Sequence, residues 1–149
     1  MIDLTIAIEL CKRFEGFRSK PYLCPAGVPT IGYGSTYYPG GKKVTLDDAP
    51  ISNEEAEKLL KHEINETYLP ATLRLCPVLA DHHQRLNAIV DFCYNLGAGN
   101  LQRSTLRRRI NAQDWQGAED ELRKWVKAGG IVLPGLVERR EAEIVFMKG

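Results

Sequence analysis

Between Gly16 and Pro50 the chain gives up the three-and-four spacing of apolar residues that it keeps on both sides, and this interruption limits the folds open to it. Upstream, Leu4, Ala7, Ile8, Cys11 and Phe14 recur at those spacings and predict an amphipathic helix over 4–14. From Gly16 the texture turns to Gly, Pro, Tyr, Thr and Val. Turn signals at Pro25-Ala26-Gly27 and Pro39-Gly40-Gly41 then predict a small antiparallel sheet with long loops. Ser52-Asn53-Glu54-Glu55 supplies an N-cap with a carboxylate three residues on, opening a helix to about Tyr68. Further helices are predicted over 79–96, closed by Gly97, over 104–110, from an Asp114 cap through 126, and from Pro134 or Gly135 towards Met147. Each apolar stripe or sheet face must be buried against another layer, so the fold class read from this order is α+β. A small antiparallel β lobe, about 16–50, is inserted between an N-terminal helix and a mainly helical lobe, about 52–149. At 149 residues the chain suits one domain with one active site, and two lobes offer a cleft.

Composition narrows the partners. An apolar share of 44% and a charged share of 26% are enough for a folded core and argue against disorder. Net charge is only +1, yet basic residues crowd the last third, from Arg103 to Arg140, where a positive face could attract an anionic polymer. Arg107-Arg108-Arg109 follows Leu106 on a predicted helix, so its side chains fan around the axis and read as a solvated face, not a nucleic-acid interface. The start lacks a basic leading region and is interrupted by Asp3 and Glu9, unlike a signal peptide, and no stretch reaches bilayer-spanning length, so stable membrane insertion is not expected. Cys11, Cys24, Cys76 and Cys93 are too few and scattered for a disulfide framework and are expected reduced. Adjacent His82 and His83 would point about 100° apart on a helix, so with Cys76 and Cys93 they form no metal set. Neither a metal nor a cofactor is expected.

Glu15 sits at the predicted C-terminus of the first helix, flanked by Phe14 and Phe17. The negative end of the helix dipole and apolar neighbours both favour a protonated carboxyl there, as a general acid requires. Composition alone reads such a residue as a surface glutamate. The surrounding string overturns that reading: Phe14-Glu15-Gly16-Phe17-Arg18, Tyr22-Leu23-Cys24, then Pro29-Thr30-Ile31-Gly32-Tyr33-Gly34. It resembles the phage-type lysozymes, the muramidase endolysins of glycoside hydrolase family 24. In that family a Glu is followed by eight residues, an Asp or sometimes Cys, five residues and a Thr opening a Thr-Ile-Gly-Tyr-Gly segment, and Glu15, Cys24 and Thr30 meet this spacing. Phe92-Cys93-Tyr94-Asn95-Leu96-Gly97, Ser104-Thr105-Leu106 and Gly135-Leu136-Val137-Glu138-Arg139-Arg140 are similar to the family's helical-lobe segments, in the same order.

The resemblance implies a lysozyme-like two-lobed fold. It further implies hydrolysis of the β-1,4 bond between N-acetylmuramic acid and N-acetylglucosamine in bacterial peptidoglycan, with host lysis as the outcome. Glu15 would be the general acid and Thr30 the hydroxyl that positions water from the other face. Gly32 and Gly34 would let sugar rings approach the backbone, or simply form a hairpin turn, and Tyr33 would stack on a sugar or pack. Cys24 departs from the commoner Asp. It reads as a base or water anchor with inversion, which is favoured, as a transient nucleophile with retention, or as an inert bystander. Arg139 or Arg140 would pair with Glu15, while Asp91, Tyr94, Asn95 and Thr105 match the cleft side of the helical lobe, or else pack and cap. The partner implied is peptidoglycan, and nucleic acid is not. A monomer is expected, held in the host cytoplasm until a holin or another release route admits it to the periplasm and wall. A lytic transglycosylase and a catalytically inactive wall-binding module are the alternatives.

Overall fold

The computed structural model describes residues 2–149. The first helix, α1 (Thr5–Glu15), is opened by Asp3, whose Oδ1 accepts from the Thr5 amide at 2.9 Å and its hydroxyl at 2.6 Å. Its Ala7, Ile8, Leu10 and Cys11 face is buried. Gly16, at φ +73°, ends it one residue beyond the predicted limit, so Glu15 is its last residue.

The β-rich segment is sparser than expected. β1 (Arg18–Leu23) and β2 (Pro29–Gly32) pair antiparallel, Tyr22 opposite Thr30 and Leu23 opposite Pro29, with a bulge between Arg18 and Tyr22. Beyond β2 only isolated bridges join Ile31 to Ser35 and Tyr37 to Lys43. Ile31 and Val44 form a small cluster against Leu59 of α2 (Asn53–Glu63), separate from the main core. Ser52 and Glu55 close the capping box reciprocally, at 3.1 and 3.2 Å.

That helical run does not stop near Tyr68. It widens into a π turn (Ile64–Tyr68) and continues as α3 (Leu69–Leu75). The reason is Pro70, which has no N–H and whose ring would press on the carbonyl four residues back; a wider turn, with Leu69 N–H donating to the Ile64 carbonyl, absorbs it. The helix predicted over 79–96 is likewise split, into a 3₁₀ turn (Pro77–Asp81) and α4 (His83–Leu96), which Gly97 closes at φ +89°. A short α5 (Ala98–Gln102) was not expected. α6 (Thr105–Asn111) is capped by Ser104 and α7 (Trp115–Leu122) by Asp114. α7 ends four residues short of the predicted limit because the chain turns into a second hairpin, β3 (Lys127–Ala128) with β4 (Ile131–Val132). Gly129 and Gly130 in its loop both have positive φ, which only glycine adopts freely. Pro134 opens α8 (Pro134–Met147).

α4 is the axis of the core. It packs against α1 and α8 and carries a nearly unbroken buried run from Leu86 to Cys93. Each fully buried Leu, Ile or Phe there contributes about 1.5–3 kcal/mol relative to exposure. This packing brings the end of α1, the middle of α4 and the first turns of α8 to one place.

Candidate active site

Glu15 lies at that junction, its side chain 25% exposed. Arg139 of α8, itself buried, donates Nη1 to Glu15 Oε2 at 2.6 Å. Its Nε and Nη2 donate to Asp91 Oδ2 and Oδ1 at 3.0 and 2.8 Å. Of the two adjacent arginines, Arg139 therefore meets Glu15. Arg140 turns into the core, where Nη2 donates to Asn95 Oδ1 at 2.7 Å and to Glu143 Oε2 at 3.0 Å.

Asp91 is fully buried and also accepts from Cys11 Sγ at 3.2 Å. Burial by itself would raise its carboxyl; hydrogen bonds from Glu143 and Arg139 and the Arg139 charge outweigh this and hold it below the usual range. Burial, together with Asp91, pushes the Glu143 carboxyl well up, against the pull of Arg140, whose Nε lies 2.8 Å from Glu143 Oε1, and of Arg139. Asp91 thus anchors Arg139 beneath the site and is not presented to a ligand.

The second oxygen of Glu15 faces the Gly-rich turn. A Cβ on Gly34, at φ +92°, would lie 3.2 Å from Glu15 Oε1 and 3.3 Å from the Tyr94 hydroxyl, so a side chain here would be strained and would press on the glutamate. The Tyr94 hydroxyl donates to the Tyr33 carbonyl at 2.7 Å, tying the helical lobe to the same turn. Gly32 is packed on α2, where a Cβ would meet Ala56 at 3.0 Å. Tyr33 is 4% exposed, its hydroxyl accepts from Asn53 Nδ2 at 2.7 Å, and its ring meets Phe17. It packs and offers no open face to a sugar. The missing side chains of Gly32 and Gly34 make room for protein first.

Cys24 and Thr30 share the far end of the β1–β2 hairpin. Hydrogen bonds from the backbone at Val28 and Ala26, aided by Thr30, hold the Cys24 thiol below its ordinary range, and the sulfur is partly exposed. Thr30 is only 3% exposed, and its hydroxyl donates to the Val28 carbonyl at 2.8 Å. Asn95 joins Phe14, Glu15, Leu133, Leu136 and Arg139 around a cavity of about 350 Å³. Thr105 lies elsewhere. It is the first residue of α6, accepts from Arg108 at 3.0 Å and borders a different depression with Arg109 and Asp114.

One residue that the sequence reading passed over flanks the site. Glu63, at the end of α2, borders a second hollow of about 370 Å³ between the 36–41 loop and the His62–Tyr68 run. Burial pushes its carboxyl up to about 7, against the pull of Ser35 and with the push of Glu15. The signal was present: Ala56, Leu59, Leu60 and Glu63 fall on one helical stripe, so an acid stands where an apolar residue belongs.

A helix-terminal carboxyl thus stands against a glycine turn, with a thiol and a hydroxyl on the adjoining hairpin, in a mostly helical chain of lysozyme-like fold. The chain belongs to the phage lysozyme family, whose pattern matches residues 12–143. It is 40% identical to an endolysin of Bacillus phage B103 over 95% of its own length but 52% of the relative's, so it spans about half of that protein. It is 37% identical to an endolysin of Acyrthosiphon pisum secondary endosymbiont phage 1, covering 91% of this chain and 90% of that one. Among solved structures, the endolysin from Escherichia coli O157:H7 phage FAHEc1 superposes with a TM-score of 0.86 at 28% identity, covering 98% and 93% of the two chains. The class is thus a phage-type, cell-wall-lytic glycoside hydrolase. Among the described residues, no helix is long and apolar enough to cross a membrane.

Proposed function

We propose that the chain hydrolyses the β-1,4 bond between N-acetylmuramic acid and N-acetylglucosamine in peptidoglycan, with Glu15 as general acid. The supporting observation is the division of labour between the two Glu15 oxygens. Arg139 fixes Oε2, while Oε1 is left at the Gly34 corner to meet a glycosidic oxygen. Protonation of that oxygen lets the bond break towards an oxocarbenium-like state, and water completes the reaction from the opposite face. Thr30 suits this second task, because its hydroxyl is held on the hairpin against the Val28 carbonyl and beside the Cys24 thiol. Cys24 is the base beside it. A thiolate stabilised by backbone amides takes the second water proton, giving inversion.

Residues 1–149 act as one catalytic domain in this reading, monomeric and aimed at peptidoglycan, not nucleic acid. Lysis follows when a holin or another release route admits the enzyme from the host cytoplasm to the wall. Glu15→Gln tests it, since the amide keeps the shape but supplies no proton. Clearing of permeabilised Gram-negative cells should fall by about two to four powers of ten with the circular dichroism unchanged. Activity within tenfold of the parent removes Glu15 from the role. Products ending in anhydro rings instead of reducing ends identify a transglycosylase.

A further inference from the structure

The sequence reads Arg107-Arg108-Arg109 as a fan of solvated charges, and the fold divides them. Arg109 turns to Asp114 at 3.2 Å, and further along the chain Arg123, Arg139 and Arg140 also meet carboxylates. Arg103, Arg107 and Arg108, by contrast, bond only to neutral groups among the described residues. Arg107 Nε donates to the Leu75 carbonyl at 2.9 Å, and its Nη1 reaches the Gln102 carbonyl at 3.5 Å. Arg108 Nη2 donates to Thr105 Oγ1 at 3.0 Å, and Arg103 Nη2 reaches Asn100 Oδ1 at 3.5 Å.

These three guanidinium groups gather at one hollow. Ser104 donates its hydroxyl to the Leu101 carbonyl at 2.7 Å and accepts the Arg107 amide at 3.0 Å, and this turn sets Arg103 beside the start of α6. Gln102, Arg103, Ser104, Arg107, Arg108 and Asn111 line a cavity of about 620 Å³, and none of them is acidic. Asn111 Nδ2 donates to the same Leu75 carbonyl as Arg107, at 3.0 Å, which ties the hollow to the end of α3. Like charges gathered in this way repel one another, and an anion seated among them reverses the sign of that energy. A guanidinium anchored through one N–H keeps its others for a ligand and has less rotamer freedom left to lose. A phosphate ester suits the arrangement better than a carboxylate, since its oxygens can each take a separate guanidinium fork.

We propose that this hollow is a binding site for a phosphate ester, held by Arg103, Arg107 and Arg108 and separate from the cleft at Glu15. The cavity beside Glu15 shares none of its lining residues, so one can be filled while the other stays open. A duplex nucleic acid would need cations continued along a face. Here the adjoining depression, which shares Arg108, contains Asp114, and the positive surface stops there. An occupied hollow would hold the chain at a phosphate-bearing molecule or surface and leave the cleft to the glycan.

The test uses the full chain with inorganic phosphate as the probe. Nitrogen-15 NMR near neutral pH and at constant ionic strength should show saturable shifts of the Arg103, Arg107 and Arg108 Nε–H signals, which chloride does not reproduce. The double variant Arg103→Gln/Arg108→Gln should weaken phosphate binding by about tenfold or more, since charge-assisted hydrogen bonds are lost. Arg123→Gln/Lys124→Gln removes the same charge from a paired surface and should leave the binding in place. Equal weakening by both double variants, or equal shifts with chloride, would show general screening and overturns the proposal. Digestion of purified peptidoglycan should be unaltered in Arg103→Gln/Arg108→Gln; a fall would place these arginines at the glycan and also overturns it. Co-sedimentation separates the sources. Binding to phosphatidylglycerol but not phosphatidylcholine vesicles, lost in Arg103→Gln/Arg108→Gln, assigns the phosphate to a lipid headgroup. Saturable phosphate binding without sedimentation assigns it to a soluble ester. Duplex DNA held by the same arginines, with no saturable phosphate site, would make the hollow part of a nucleic-acid face and refutes the proposal.

Discussion

At the scale of single residues, the four cysteines show how position alone divides one chemistry. Burial raises Cys11 and pushes Cys76 and Cys93 up to about 12 and 11, while backbone amides lower Cys24 at an exposed turn. Only a thiolate reacts readily with an alkylating agent. Iodoacetamide at pH 7.5 should therefore label Cys24 first in the folded parent, and peptide mass mapping would show it. Equal labelling of all four would contradict the environments described. If the Cys24 thiolate is the base, Cys24→Asp should stay active, Cys24→Ala should lose most activity, and the parent rate should rise with pH through the thiol's titration. An unchanged rate and profile in Cys24→Ala would leave Glu15 and Thr30 to carry the reaction. The spacing of Glu15, Cys24 and Thr30 was legible in the sequence, but the state of the thiol was not, since it depends on where the Cys24–Val28 backbone points.

Among the elements, α1 and α2 hold the acid and its buried neighbour, and both follow local rules. Periodicity, a terminal glycine and a capping box were all readable, and each is worth a modest, measurable energy. Ser52→Ala should cost about 1 kcal/mol in denaturant unfolding, since it leaves the Glu55 amide unpaired. Activity per folded molecule should stay level, because Ser52 touches nothing at the site. A loss under 0.3 kcal/mol would mean that the cap adds little to a helix already fixed by its Leu59 and Leu60 contacts. Where local rules failed, a specific residue explains it. Pro70 forced a wide turn in place of a stop, and the Gly129-Gly130 hairpin, although a standard turn pair, was masked by helical spacing running up to it. Two-residue strands carry too little alternation to be seen.

In the molecule as a whole, the decisive feature is the buried chain from Glu143 and Asp91 through Arg139 to Glu15, which joins α8, α4 and α1. Removing one partner of a buried ion pair strands the other, so Asp91→Asn should lower stability by roughly 3–5 kcal/mol at neutral pH. The sign with pH follows from the directions. Asp91 is held below its ordinary range, so the stability it supplies is present above that range and is lost as pH falls through its folded value. The Asp91→Asn variant should lose this acid dependence, measurable as a flatter melting temperature against pH; a parallel curve would place the dependence elsewhere. Sequence by itself determined the order of helices and hairpin, the acid at the end of α1 and the Glu15, Cys24, Thr30 spacing, because these rest on contacts within a few turns of chain. Only the tertiary structure decided that Arg139 and not Arg140 meets Glu15, that Tyr33 is packed and Thr105 distant, and that Glu63 stands behind the glycine turn. Each of those depends on how segments 20 to 124 residues apart are packed together, and no local pattern encodes that packing.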